Sequence, residues 1–322
     1  MKSLSFSRNF PLRKRLQRVL SARAHRQGKD RFQPGDFKIE TLNVEIQKLD
    51  PVFEGYRIVH LTDLHVGQWL SPERLAGVVD LVNQQEPDLI LMSGDYVSYE
   101  LENIIEVMIA SLSAMRAKDG KIAVLGNHDY WVDADQVIRI LHEGGFTVLR
   151  NQVFTVRRER ADLQIAGVDS VMVHLDYLDA VVELISPTAP AILLVHEPDF
   201  ADVSARSGRF DLQLSGHSHG GQIVLPKLGS LLRGPFFWKY PLGLYRIGHP
   251  DILNTLNASQ NLSDYPNPGA SHDPSTPAKM LLYTNRGLGT NTLRYRLNCP
   301  PEILLITLKP FRQLDSAEKR QV

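Results

Sequence analysis

Five short apolar runs constrain the architecture of this 322-residue chain: YRIVHLT (56–62), DLILMSG (88–94), KIAVLG (121–126), AILLVH (191–196) and DLQLSG (211–216). A brief continuous apolar run bounded by turn residues reads as a strand buried on both faces. Segments of helical spacing separate the first runs, PERLAGVVDLVNQQ (72–85) and ENIIEVMIASLSAMRA (102–117), and ADQVIRILHEGG (134–145) is a helix ended by glycine. FKIETLNVEI (37–46) alternates like a strand, while VFTVRR (153–158) and LQIAGV (163–168) look like a pair. A helix is expected at 177–185, and further strands near 221–225, 280–284, 292–297 and 303–308. Helix-rich alternation followed by strand-rich sequence predicts an α/β fold, a sandwich of two mixed β-sheets flanked by helices. The chain is long enough for a substantial core.

What ends each run is chemically uniform. The first delivers TDLH, with Asp63 and His65 two residues apart on one side of an extended segment. The second ends at Asp95, and the third runs into GNHD, with Asn127 and His128. The fourth ends on His196, and the fifth opens into LSGHSHGGQ, where His217 and His219 flank one serine. Alone, that last stretch is equally a turn in which two histidines happen to sit, with Gly216, Gly220 and Gly221 letting the backbone bend. Ligands in open α/β sheets gather at the carboxyl ends of the strands, however, so the five loops should converge. Asp63, His65, Asp95, Asn127, His196, His217 and His219 then form a set of O and N donors without sulfur, which suits Mn²⁺, Fe or Zn²⁺. Seven donors exceed the needs of one ion with open positions. They fit two ions about 3.5–4 Å apart with one carboxylate between them. Taken singly, Asp63 is as readily a cap, Asn127 a turn residue and His196 a core histidine; five strand ends carrying such donors together are not coincidence.

In this order, D-x-H, GD, GNHD, H and GHxH resemble the calcineurin-like metallophosphoesterase superfamily. The resemblance implies two divalent metal ions, with manganese expected and zinc or iron as alternatives. It implies that Asp63, His65 and His219 hold one ion and that Asn127, His196 and His217 hold the other, with Asp95 bridging. His128 matches the family histidine that approaches the scissile phosphate as acid or charge stabiliser. Many members have GD-x-x-D, whereas GDYVS places Ser98 at the last position. GHSHGGQIVLP, KYPLGLY (239–245), TNRGLG (284–289) and PEILLITL (301–308) further resemble bacterial phosphodiesterases related to UDP-2,3-diacylglucosamine hydrolases. That branch implies hydrolysis of a phosphodiester or pyrophosphate bond in a lipid-linked or nucleotide-lipid substrate. The alternatives are a broad phosphodiesterase or phosphomonoesterase on soluble substrates, and a non-enzymatic scaffold that keeps the fold. Phe236, Phe237, Trp238 and Tyr240 follow the metal histidines and read either as an apolar lip for acyl chains or as ordinary core and turn. Tyr130 and Trp131, after GNHD, are candidates for the pocket wall.

Charge is balanced overall, with 36 basic and 36 acidic residues, but it is unevenly placed. Residues 1–31 carry ten Lys/Arg against the single acid Asp30, so the body is acidic. In FPLRKRLQRVLSA (10–22), Leu12, Leu16, Val19 and Leu20 form an apolar stripe opposite a basic face. The stripe suits an interfacial membrane helix or, equally, a helix that packs its leucines on the body. Residues 1–36 are expected to form this arm and 37–322 the phosphoesterase domain, with the Pro- and Ser-rich stretch 250–278 as a mobile loop insertion. No apolar stretch suits a membrane span or a cleavable signal peptide. The expected location is the cytoplasm, with peripheral attachment at the inner membrane face. The single cysteine, Cys299, excludes an internal disulfide framework and a cysteine-based zinc site. Because the basic residues cluster in the arm instead of lining the body, no nucleic-acid partner is expected, and no protein partner is inferred.

If the arm binds anionic bilayers, each Lys/Arg near the surface contributes up to about 1 kcal/mol. Deleting residues 1–31 is expected to weaken sedimentation with anionic vesicles at low salt while leaving hydrolysis of a small soluble diester unchanged. Equal vesicle binding by the full and shortened chains would leave the arm packed on the body or in solvent.

Overall fold

The computed structural model describes residues 31–225, 229–230, 234, 236–247, 254–256, 280–291 and 293–311, together with residues 15, 19, 20 and 23. The arm therefore lies mostly outside the described residues. Arg15, Val19, Leu20 and Arg23 are helical and exposed. Among the described residues, no helix is long and apolar enough to cross a membrane.

Two mixed sheets form the centre. The first contains β1 (Lys38–Ile46), β2 (Arg57–Leu61), β3 (Leu89–Met92), β4 (Gly120–Ala123), β5 (Thr147–Val148) and a late strand (Glu302–Pro310), in the order β1, late strand, β2, β3, β4, β5. The late strand runs parallel to β1 and antiparallel to β2, whereas β2 to β5 are mutually parallel. The second sheet contains β6 (Gln152–Arg158), β7 (Ala161–Gly167), β8 (Ala191–Leu194) and β9 (Leu212–Ser215). A short hairpin, β10 (Val224–Leu225) with β11 (Gly229–Ser230), stands apart. The second sheet is completed by β12 (Gly243–Ile247), β13 (Asn254–Leu256) and β14 (Met280–Thr284), in the order β13, β12, β14, β9, β8, β7, β6. The late strand is β15.

Alternation along the buried strands shows why they are apolar throughout. In β3, Leu89 and Leu91 face the second sheet while Ile90 and Met92 pack beneath helices. In β8, Ile192 and Leu194 join the core between the sheets, whereas Ala191 and Leu193 face the opposite layer. Helices α1 (Pro72–Asn83), α2 (Ile105–Ala114), α3 (Asn127–Val132) and α4 (Ala134–Glu143) follow strands of the first sheet. Through Leu75, Val78, Met108, Leu112, Val137 and Leu141, three of them cover its outer face. Shorter α5 (Leu178–Leu184) and α6 (Ala201–Ser204) cover the second. The α1 N-terminus is capped by Ser71, whose side chain accepts from the Arg74 amide, with Pro72 at the first position.

The two-sheet expectation is met, with differences of detail. In the stretch expected as a strand near 292–297, the described residues 293–297 form none: Arg294 and Arg296 turn inward to backbone carbonyls, and only an isolated bridge at Leu297 is made. The unexpected strand β12 falls within sequence that also carries turn signals, KYPLG. Within 250–278, expected as a loop, Asn254–Leu256 pairs antiparallel with β12; the other residues of that stretch lie outside the described ones.

Candidate metal centre

All five strand-end loops meet at one end of the sandwich. Asp63 and His65 follow β2, Asp95 follows β3, Asn127 opens α3 after β4, His196 follows β8, and His217 and His219 follow β9. Of the seven, only His217 is more than slightly exposed. The seven sequence-predicted ligands are brought together.

Each carboxylate divides its labour between two oxygens. Asp63 Oδ2 accepts from Thr62 Oγ1 and the His217 amide, both at 2.9 Å, while Oδ1 is buried with no hydrogen-bond partner among the described residues. That Oδ1 lies 3.3 Å from His219 Nε2 and 3.9 Å from His65 Nε2. Asp95 Oδ1 accepts from the His128 amide at 2.9 Å, and its Oδ2 lies 3.5 Å from His65 Nε2 and 3.2 Å from His196 Nε2.

The imidazoles are aimed in the same way. His196 Nδ1 sits 2.7 Å from the Ser93 carbonyl, which can only accept, so Nδ1 carries the proton and Nε2 is left to the centre. His65 Nδ1 is 2.6 Å from Ser98 Oγ, and its Nε2 faces His219 Nε2 at 3.2 Å. His217 Nδ1 faces His196 Nε2 at 3.2 Å. Burial lowers His65 to about 3, and burial with the neighbouring His65 holds His219 well below its ordinary value. Two neutral nitrogens facing each other beside an unpaired carboxylate oxygen form a donor set without a proton to share, which is what a divalent cation accepts. Asn127 Oδ1 adds another buried oxygen without a partner among the described residues. Asp63, His65 and His219 form one compact group and Asp95, His196 and His217 another.

The glycines serve two needs. Gly220 and Gly221 adopt left-handed conformations, at φ 58° and 75°, and so make the bend expected of them. Gly216 does not bend in this way. It is small because a Cβ there would collide with Asp63 Oδ2 and Thr62 Oγ1.

His128 lies against the first group, its ring 4.9 Å from that of His65. Its Nδ1 is 3.1 Å from the Ser98 carbonyl and its Nε2 is 3.1 Å from Asn291 Nδ2, so both ring nitrogens are engaged by the chain. Ser98, noted as a departure from the family carboxylate, holds His65 with its hydroxyl and His128 with its carbonyl. Asp129 accepts from the amides of Asp95, Tyr96 and Gly126, each at 2.9 Å, and thereby ties the second loop to the third. Nothing in GNHD singled out Asp129 for this clamp.

The aromatic candidates separate. Trp131 packs at a tilt against His128 with ring centres 4.8 Å apart, and Phe237 meets His217 edge-on at 5.2 Å. Phe236 and Trp238 are exposed. Tyr240 is placed in the core instead, its hydroxyl donating to Asp202 at 2.8 Å, because its ring packs on Tyr245 beneath the second sheet. Tyr130 is half-buried and donates to Asp169, part of a wall tied to Arg150.

Burial raises the Asp63 carboxyl to about 6, with His196 opposing and Asp95 adding to the rise. Burial opposes a proton on His196, yet the adjacent Asp95 holds that proton well above the usual imidazole range. Asp63 must be ionised and His196 neutral to ligate, so loading divalent ions at pH 7 is expected to release protons, and affinity is expected to fall as pH drops, more steeply below about 6 where Asp63 also takes up a proton. Mn²⁺ titration calorimetry in two buffers of different ionisation enthalpy measures the release; buffer-independent heats would contradict it. Asp95→Asn is expected to lower the occupancy of both ions, read by metal analysis after dialysis. Loss of one ion alone would assign Asp95 to a single site.

A family profile described as calcineurin-like phosphoesterase matches residues 56–221, from the start of β2 to the histidine loop. The chain is 32% identical over 260 residues to the uncharacterized metallophosphoesterase YkuE of Bacillus subtilis, covering 80% of each protein. It is 28% identical over 279 residues to an uncharacterized metallophosphoesterase of Aquifex aeolicus, covering 84% of this chain and 92% of that one. To the phosphodiesterase YaeI of Escherichia coli it is 27% identical over 256 residues, covering 79% and 82%. The chain therefore belongs to the calcineurin-like phosphoesterase family and is a metal-dependent phosphohydrolase.

Proposed function

We propose that this protein is a dinuclear-metal-dependent phosphodiesterase that cleaves a phosphodiester or pyrophosphate bond in a lipid-linked or nucleotide-lipid substrate, such as UDP-2,3-diacylglucosamine. The observation that carries the dinuclear part is the position of Asp95 Oδ2, which faces His65 of one donor group and His196 of the other. Asp63, His65 and His219 would hold one cation and Asn127, His196 and His217 the second, with Asp95 shared. Manganese is the expected ion, with zinc or iron as alternatives. Divalent cations in such a site supply a water nucleophile at neutral pH and neutralise the phosphoryl oxygens. The similarity to a relative named phosphodiesterase supports the diester class.

His128 supplies what the ligands cannot, a proton at the leaving oxygen. Its Nδ1–H is fixed on the Ser98 carbonyl, so Nε2 is the atom that exchanges a proton with the substrate. Trp131 packs on the ring of His128 on one flank and Phe237 on that of His217 on the other.

The lipid part is supported by the apolar rim. Phe236 and Trp238 are exposed at 37% and 62% beside the His217 loop, and Trp131 at 37% beside His128. Asp199 fixes the first two: its carboxylate accepts from the amides of Trp238, Lys239 and Tyr240, and its own amide donates to the Phe236 carbonyl. Asp199 stands three residues beyond His196, so ligand and rim share one short segment. An anionic membrane contacted through residues 1–31, at the inner membrane face, is the setting this reading favours for an acylated substrate.

Metal-loaded protein is to be assayed against a nucleotide-lipid pyrophosphate, bis-p-nitrophenyl phosphate and p-nitrophenyl phosphate. The highest kcat/KM is expected on the acylated substrate; no preference for it over the soluble diester would remove the lipid assignment. His128→Ala is expected to lower kcat by roughly 10²–10⁴-fold with metal content unchanged. Loss of metal instead would make His128 a ligand.

A further inference from the structure

We propose that Asp169 and Glu197, together with Tyr130, are positioning residues that hold Asn127 and His196 in register for the second cation. The inference rests on the dinuclear reading of the site, and none of the three belongs to the ligand set.

The two ligands come from different sheets. Asn127 opens α3 after β4 of the first sheet, and His196 follows β8 of the second. The core between the sheets is apolar, and apolar packing has no direction of its own. A metal site needs its ligands held to within about 0.5 Å, which calls for hydrogen bonds behind them. Asn127 Oδ1 has no hydrogen-bond partner among the described residues, and α3 is only six residues long. The direction in which Asn127 points therefore depends on how that short helix is fixed. Asp129 fixes it to the loop after β3, on the first sheet. Tyr130, the next residue, fixes it to the second.

The Tyr130 hydroxyl donates to Asp169 Oδ2 at 2.5 Å. Asp169 is buried two residues beyond β7, the neighbour of β8 in the second sheet. The same oxygen accepts from Arg150 Nε at 3.1 Å, and the Asp169 amide donates to Asn151 Oδ1 at 3.2 Å. Arg150 and Asn151 lie in the link between β5 and β6, which joins one sheet to the other. Immediately after Asp169 the loop is seized by Glu197. Ser170 Oγ donates to its Oε1 at 2.5 Å, and the Val171 and Met172 amides donate to Oε2 and Oε1, both at 3.1 Å. Glu197 is fully buried and is the residue after His196. One turn of helix, two carboxylates and a four-residue loop thus join the ligand of the first sheet to the ligand of the second. No part of this path reaches Asp63, His65 or His219, so its effect should be confined to one ion.

The test is Mn²⁺ binding to the full chain, measured by titration calorimetry and by the spin resonance of the coupled ion pair. Tyr130→Phe removes one hydroxyl from a half-buried ring. It is expected to weaken one of the two ions by about 10–100-fold, the range for groups that orient metal ligands, and to leave the other unchanged. At Mn²⁺ concentrations that saturate the wild type, the coupled spectrum should give way to that of an isolated ion. Which ion is affected is read in two further backgrounds. In His65→Ala, which disables the first site, Tyr130→Phe should weaken the remaining ion; in Asn127→Ala, which disables the second, it should change nothing. Glu197→Gln keeps the side chain's shape but loses an acceptor oxygen, and it should act on the same ion. Combined with Tyr130→Phe, its loss should fall short of the product of the two, because either change opens the same path. Should Glu197→Gln fail to fold, Ser170→Ala takes its place by removing one of the three donors. Equal weakening of both ions, a loss that persists in Asn127→Ala, or unchanged affinities in Tyr130→Phe would overturn the positioning role and leave the dinuclear reading intact. A wild-type chain that takes up a single Mn²⁺ would instead remove that reading, and the proposal with it.

Discussion

Two carboxylates buried side by side are the constraint around which the rest of the molecule is organised. Asp63 and Asp95 both lie at the junction of the sheets, and their mutual repulsion is among the causes that raise the Asp63 carboxyl. Like charges in a low-dielectric interior cost several kcal/mol unless neutralised. The chain satisfies one oxygen of each with its own donors and leaves the other facing imidazoles that burial keeps uncharged. His196 is the exception, since Asp95 beside it favours the protonated ring. Cations are thus part of the electrostatic design, and the glycine at 216 exists to let the carboxylate approach.

That design is held by backbone strain. Asp63, His65, Asp95, His217 and His219 all adopt positive φ, between 44° and 66°. Side chains with a Cβ enter this region at a cost of roughly 1–2 kcal/mol each, somewhat less for short polar ones that bond locally. The cost is offset by cross-loop hydrogen bonds: Asp63 N to Gly94 O, His65 N to Asp95 O, and Gly216 N to His196 O. Each strand therefore stops abruptly and turns its donor across the sheet end, instead of letting it continue along the strand. Such strain concentrates where a side chain's direction matters more than local stability.

Most of this centre was legible in the sequence because its donors sit at fixed offsets from apolar runs. Asp63, Asp95 and His196 could be placed at strand ends without knowing which sheet each strand joined. Residues that act through backbone groups were not legible. Asp129 clamps three amides, Arg296 binds carbonyls, and Gln222 fixes a loop nearly seventy residues away; none has a spacing that announces its partner. The stretch 292–297 misled because its apolar residues alternate, yet the arginines between them are drawn inward by carbonyls. Tyr240 misled in a different way. Its neighbours Phe236 and Trp238 are exposed, but a turn pinned by Asp199 sends the third aromatic into the core.

The place of β15 in the first sheet has a consequence for how the protein is made. Residues 302–310 lie between β1 and β2, parallel to one and antiparallel to the other, and Glu302 at its start accepts from Arg286 and Tyr283. During synthesis β1 and β2 leave the ribosome early, yet the strand that joins them emerges some 240 residues after β2. The sheet edge carrying Asp63 and His65 must wait, with its amides unpaired, for some 240 further residues. Metal capture is thereby tied to the arrival of β15: a nascent chain can display every candidate ligand and still lack the frame that aims them.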